Sequence, residues 1–130
     1  MLKYMLVLSL PFFMAHADHS PKVGAEMVAE AQKLMSEGMP VIDVRQEACE
    51  GYVKGAQLIS IDDILAGSPQ ALEKIKTLSA DKTKPIAIYC RSGARSAKVI
   101  NYLKGIGYTK MHNLGGVGDY FNAETMQACN

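Results

Sequence analysis

Apolar residues recur along this chain with two different periods. Between Val23 and Glu37, Ala25, Val28, Ala31, Leu34 and Met35 fall on one helical face, and Gly38 supplies the stop. Pro40 to Val44 reads as a strand, Pro-Val-Ile-Asp-Val. Residues 45–56 are polar and end in Gly-Tyr-Val-Lys-Gly-Ala, which predicts a loop or a short helical turn. Gln57 to Ile61 offers a second strand, and helices are expected over Ile61 to Leu65 and Pro69 to Leu78. Asp81 to Lys84 is a solvated turn. Pro85 to Tyr89 is an unbroken apolar run of the kind required by a strand buried on both faces. Ser96 to Leu103 then places Val99, Ile100 and Leu103 at helical spacing, and Gly105 to Gly107 closes that helix. A last short strand is expected at Lys110 to His112, ahead of Leu114-Gly115-Gly116.

Strands alternating with helices in 130 residues predict an α/β domain with a parallel sheet covered on both faces and ligands at the carboxyl ends of the strands. No repeat, low-complexity tract or linker interrupts the pattern, so residues 18–130 are expected to form a single domain. Residues 1–17 stand apart. Lys3, the apolar stretch from Tyr4 to Met14 and Ala15-His16-Ala17 have the three parts of a cleavable export signal. The apolar stretch is too short for a bilayer span and contains Pro11, so no stable membrane association is expected once the signal is removed. The expected location is periplasmic or secreted.

Composition removes other classes. With 14 basic and 13 acidic residues and no basic run, there is no electrostatic footprint for nucleic acid. No Cys/His ligand spacing is present, so neither a metal nor another cofactor is expected. The three cysteines, at 49, 90 and 129, are an odd number for an oxidising compartment. A Cys49–Cys129 disulfide would keep those two away from Cys90, but spacing does not decide connectivity.

The chemistry concentrates at Tyr89-Cys90-Arg91-Ser92-Gly93-Ala94-Arg95-Ser96. A cysteine leaving an apolar strand into a loop of small residues, with a helix directly behind, has backbone N–H groups and a helix N-terminus aimed at its sulfur. Arg91 and Arg95 add positive charge, and all three influences favour a thiolate. An ordinary buried cysteine needs none of them, and unpaired arginines would be costly beside it. Ser92 and Ser96 are placed either to donate to the sulfur or to cap the helix.

Four segments together resemble the rhodanese family, in particular its small exported single-domain members. They are Val41-Ile42-Asp43-Val44-Arg45, Gly51-Tyr52-Val53-Lys54-Gly55-Ala56, the Cys90 loop, and Asn113-Leu114-Gly115-Gly116. Tyr52 stands where the family usually has histidine, the segment between Arg45 and Gly51 is about two residues short, and Tyr120 is a substitute for the tryptophan that often follows the Gly-Gly pair. The resemblance implies a rhodanese-like fold with a central parallel sheet of about five strands and helices on both faces. It also implies a thiosulfate sulfurtransferase in which Cys90 takes a sulfane sulfur as a persulfide and passes it to a thiophilic acceptor. Arg91, Ser92, Gly93, Ala94, Arg95 and Ser96 would bind a small anionic donor, one arginine being available to brace the loop. Asp43 and Arg45 would be structural support, with Arg45 also within reach of Glu47. Two other uses of an activated cysteine remain: a persulfide or thiol-redox carrier, and a phosphatase or arsenate reductase. The latter needs Cys-x5-Arg, whereas this chain has Cys90-x4-Arg95 and no acidic residue within the loop.

Overall fold

In a computed structural model describing residues 20–45 and 50–129, strand β5 (Ile86–Cys90) lies at the centre of a parallel sheet, and each of its five residues is buried. The sheet also contains β1 (Lys22–Val23), β2 (Val41–Asp43), β4 (Gln57–Leu58) and β6 (Met111–Gly116), in the order β1-β6-β5-β2-β4. Four helices connect them: α1 (Gly24–Ser36), α2 (Ile61–Leu65), α3 (Pro69–Leu78) and α4 (Ala94–Gly105).

The unbroken apolar run of β5 is explained by what covers each face. Side chains alternate across a strand. Ile86, Ile88 and Cys90 join the core formed with Ile64, Ile75, Val99 and Leu103 of α2, α3 and α4. Ala87 and Tyr89 join the opposite core with Met27, Val28, Ala31 and Leu34 of α1. Cys90 and α4 therefore share a face, and this brings the thiol to the start of that helix. Ser60 caps α2 through the N–H of Asp62, and Ser68 caps α3, which begins at Pro69.

The helices and the β2 and β5 strands follow the sequence pattern closely. Four features depart from it, the first being β1, a two-residue strand that pairs with β6 where the pattern marks only the start of a helix. The strand expected at Lys110 to His112 runs on through Asn113–Gly116, because this glycine-containing stretch pairs with β5 and β1. The expected loop at 45–56 includes β3 (Tyr52–Val53), which pairs antiparallel with β7 (Met126–Gln127) in a separate two-stranded sheet. The strand at Gln57 to Ile61 shortens to β4, beside β2, and Ile61 already belongs to α2. The export signal expected at residues 1–17 lies outside the described residues, as do Glu47 and Cys49, on which the expected Arg45–Glu47 and Cys49–Cys129 pairings depend. No helix among the described residues is long and apolar enough to cross a membrane.

Candidate active site

Cys90 ends β5, Gly93 is the N-cap of α4, and only Arg91 and Ser92 lie between them. So short a turn needs a left-handed residue, and Gly93 provides it with φ +95°. Its N–H then lies 3.0 Å from Cys90 Sγ. The N–H of Ser96, in the first turn of α4, lies 3.4 Å from the same sulfur. The Ser96 hydroxyl is 3.5 Å from Sγ and accepts from the thiol. Burial pushes the Cys90 thiol up. The Ser96 hydroxyl and N–H, then the N–H groups of Gly93 and Ser92, act the other way and prevail, holding it below the ordinary thiol value.

The thiol lies beneath the loop surface: Cys90 is fully buried, while Arg91, Ser92 and Ala94 are exposed. Arg91 is tied down on both sides. Its guanidinium reaches the Glu50 carboxylate at 2.5 Å and also pairs with Asp119. Arg95, half-buried in the first turn of α4, has no carboxylate within ion-pair distance among the described residues. The loop therefore contains one arginine engaged by neighbouring segments and one with no carboxylate partner among the described residues. Ser96 faces the sulfur, and the Ser92 hydroxyl accepts from the Ala94 N–H at 3.4 Å.

The wall beside the loop is β6. Residues Ile86 to Ile88 face Met111 to Asn113 in register, but Tyr89 and Cys90 face Gly115 and Gly116, so Leu114 is an extra residue, a β-bulge beside the site. A Cβ on Gly116 would collide with the Arg91 carbonyl and with Ser92. The Gly-Gly signature is thus where the cysteine loop packs onto the sheet. Just before the bulge, the Asn113 side chain crosses to the loop. Its Nδ2 donates to the Gly93 carbonyl at 3.0 Å, and its Oδ1 accepts from the Ser96 hydroxyl at 2.7 Å and from the Gly115 N–H at 3.0 Å.

Asp43 and Arg45 form a buried pair behind this end of the sheet. Arg45 Nε is 3.1 Å from both Asp43 carboxylate oxygens and Nη2 is 2.6 Å from Oδ2, a forked geometry that satisfies both charges. Arg45 also donates to the Gly51 carbonyl, and its guanidinium lies 5.9 Å from the centre of the Tyr89 ring. The Tyr89 hydroxyl accepts from the Val53 N–H at 3.0 Å, while burial foremost raises its pKa and keeps it neutral. Arg45, paired with Asp43, thus reaches the Gly51 carbonyl next to Glu50, and Tyr89 reaches Val53 in the same turn.

Sequence reasoning brought Cys90, Arg91, Ser92, Gly93, Ala94, Arg95 and Ser96 together because they are contiguous. It assigned no role to Glu50, Asp119 or Asn113. For Asn113 the signal was available in its motif, immediately before the bulge. For Glu50 and Asp119 only the fold supplies the proximity.

Comparisons with known proteins agree with this geometry. Residues 27–123 match the family model described as Rhodanese-like domain. The chain is 33% identical to thiosulfate sulfurtransferase 18 of Arabidopsis thaliana over 98 residues, which cover 68% of this chain and 71% of that protein. It is 31% identical over 80 residues to the thiosulfate sulfurtransferase PspE of Escherichia coli, covering 60% of this chain and 70% of that protein. Among solved structures, a rhodanese-like domain protein from Staphylococcus aureus superposes with TM-score 0.58 at 26% identity, over 79% of this chain and 95% of that one. The α/β sheet, the loop that follows its central strand and the family match lead to one conclusion: this chain belongs to the rhodanese-like domain family, among relatives that are sulfurtransferases.

Proposed function

We propose that this chain moves a sulfane sulfur from thiosulfate or a similar donor to a thiophilic acceptor through a Cys90 persulfide. The observation that carries this reading is the set of donors converging on one sulfur: Gly93 N–H at 3.0 Å, Ser96 N–H at 3.4 Å and the Ser96 hydroxyl at 3.5 Å. Such a cradle favours sulfur that bears negative charge, with no separate base required.

In the first step, a lone pair of the Cys90 thiolate attacks the outer sulfur of thiosulfate. A new S–S bond forms, the S–S bond of the donor breaks, and sulfite departs with the electron pair. Arg95 faces the charge developing on the departing group, and the loop amides hold the persulfide. In the second step an acceptor thiolate attacks the terminal sulfur and Cys90 leaves as thiolate. Charge and electrons balance in each displacement, so neither step needs a redox cofactor. The scheme predicts ping-pong kinetics. The export-signal pattern of residues 1–17 supports a periplasmic or extracellular setting for this chemistry.

One observation favours a second reading, a persulfide carrier that turns over free thiosulfate poorly. Cys90 is fully buried and Arg91 is held by two carboxylates, an arrangement that slows a small dianion. Intact mass of the reduced protein separates the readings. Uptake of one sulfur from thiosulfate, lost in Cys90→Ser, supports the enzyme. Uptake only from a thiol persulfide supports the carrier, and a Cys90→Ser variant that still gains sulfur defeats both.

A further inference from the structure

The Ser96 hydroxyl has one hydrogen and three acceptors within reach. It lies 2.7 Å from Asn113 Oδ1, 3.0 Å from the Gly93 carbonyl and 3.5 Å from Cys90 Sγ. With a neutral thiol, the S–H donates to Ser96 Oγ and the hydroxyl hydrogen is passed on to Asn113. A charged sulfur has no hydrogen to give and needs one, so the hydroxyl must turn. Turning leaves no acceptor without a donor, since Asn113 Oδ1 retains the Gly115 N–H at 3.0 Å. The Gly93 carbonyl likewise retains Asn113 Nδ2 at 3.0 Å and the Ala97 N–H at 3.2 Å. A buried acceptor stripped of its only donor would oppose the turn. Here the Gly115 N–H removes that penalty at Asn113 Oδ1, and Asn113 Nδ2 together with the Ala97 N–H removes it at the Gly93 carbonyl.

We propose that Asn113 is a positioning residue for the reactive sulfur, holding the Gly93 carbonyl and parking the Ser96 hydroxyl so that its hydrogen swings onto Cys90 when the sulfur becomes charged. The proposal rests on the persulfide reading for its purpose, because thiolate and persulfide are the charged states it would serve. Its geometry depends on the β6 bulge. Asn113 lies on the same face as Ile88, the last in-register position before the extra residue Leu114, and from there its amide spans to the N-terminus of α4.

Substitution at Asn113 has a sign that follows from this arrangement. Loss of the amide removes Oδ1 as a rival acceptor for the Ser96 hydrogen, but it also leaves the Gly93 carbonyl with the Ala97 N–H alone and so a stronger competitor for that hydrogen, and it takes the brace from both N–H groups aimed at sulfur; the second change touches three donors to the sulfur and outweighs the first. Asn113→Ala should therefore make Cys90 harder to ionise. Asn113→Asp keeps the size and the Oδ1 acceptor but places a carboxylate beside the hydroxyl, so its effect should be larger in the same direction. The other charged groups at this end of the sheet are unchanged by either substitution: Arg91 with Glu50 and Asp119, Arg95 and Lys98 of α4, and the Asp43–Arg45 pair of β2.

The test is the pH dependence of iodoacetamide alkylation at Cys90 in the reduced full chain, followed by peptide-resolved mass so that Cys49 and Cys129 do not contribute. The midpoint should rise in the order native, Asn113→Ala, Asn113→Asp. Near the native midpoint the Ala variant should react about threefold to tenfold more slowly, the size expected for the loss of about one ordinary hydrogen bond. In a Ser96→Ala background the Asn113→Ala effect should shrink to less than half, since the hydroxyl through which it acts is absent. An unchanged midpoint, or equal shifts with and without Ser96, overturns the proposal. Asn113→Asp gives the answer if Asn113→Ala does not fold, and failure of both to fold makes Asn113 a scaffold residue and also overturns it. Absence of sulfur uptake by native Cys90 would instead defeat the persulfide reading, while the alkylation ranking stands or falls separately.

Discussion

The Arg91 guanidinium lies 2.5 Å from the Glu50 carboxylate, so the first arginine of the cysteine loop is engaged by a neighbouring segment before any donor arrives. Asp119 holds it from the other side. A dianion meeting this rim encounters two carboxylates as well as one arginine. Glu50→Gln combined with Asp119→Asn should therefore raise the second-order rate of Cys90 sulfuration by thiosulfate, by about threefold to tenfold at low ionic strength, and the gain should fade as salt screens the charges. An uncharged thiosulfonate ester, which converts the Cys90 thiolate to a mixed disulfide with release of a sulfinate, should react with the variant at nearly the native rate. Stopped quenching and intact mass at two salt concentrations would show it, and a slower double variant would mean that the clamp assists the donor.

The two arginines should separate in their own right. Arg95 has no carboxylate partner among the described residues and sits in the first turn of α4, near the sulfur cradle. Arg95→Ala should lower the thiosulfate rate by about tenfold or more, the cost of losing a charge-assisted contact to a departing anion. Arg91→Ala should cost less, because much of its charge is already matched. Equal losses in the two variants would contradict this division.

The pH dependence of the sulfur follows from the direction of its shift. Cys90 ionises below the ordinary thiol value despite burial, because the Ser96 hydroxyl and the N–H groups of Ser96, Gly93 and Ser92 favour the thiolate. Sulfuration should rise with pH and level off below the midpoint of a free thiol, about 8.5. The folded-state value lies below the unfolded one, so Cys90 adds stability above the unfolded pKa, and that contribution is lost as pH falls through the folded pKa. Ser96→Ala should move the kinetic midpoint upward. Urea titrations of the native chain and Cys90→Ser across this window would check the stability term.

The contrast between what was legible and what was not follows from range along the chain. The cysteine loop was legible because strand, loop and helix are consecutive, and Pro85 to Tyr89 and Val99 to Leu103 show periods that belong to one element each. Tyr52–Val53 pairs with Met126–Gln127 across the whole domain, and two residues are too few to show a period. Asn113–Gly116 resembles a turn because glycines weaken a strand locally. It is strand because Gly116 is the residue that lets the cysteine loop pack against it. Glu50, Arg91 and Asp119 come from three separated segments, and only the sheet order and the anchored 50–53 turn bring them together.

That anchoring makes the last prediction. Asp43 and Arg45 have almost no exposed side-chain surface, 0% and 3%, and each is the other's main partner. Removing one leaves a buried charge without its counterpart, so Asp43→Ala should cost about 3–5 kcal/mol. Replacing both by apolar residues of similar volume should cost much less, because the desolvation of two charges is avoided as well. The Gly51 carbonyl would still lose its donor from Arg45, and Glu50 would be less firmly placed beside Arg91. The doubly apolar variant should therefore keep most of its stability in urea yet lose part of the influence of Glu50 on the thiosulfate rate. If Asp43→Ala unfolds no more easily than the native chain, the pair is not the anchor this geometry describes. If Glu50→Gln has the same effect in both backgrounds, the turn is held by the Tyr89–Val53 hydrogen bond without help from Arg45.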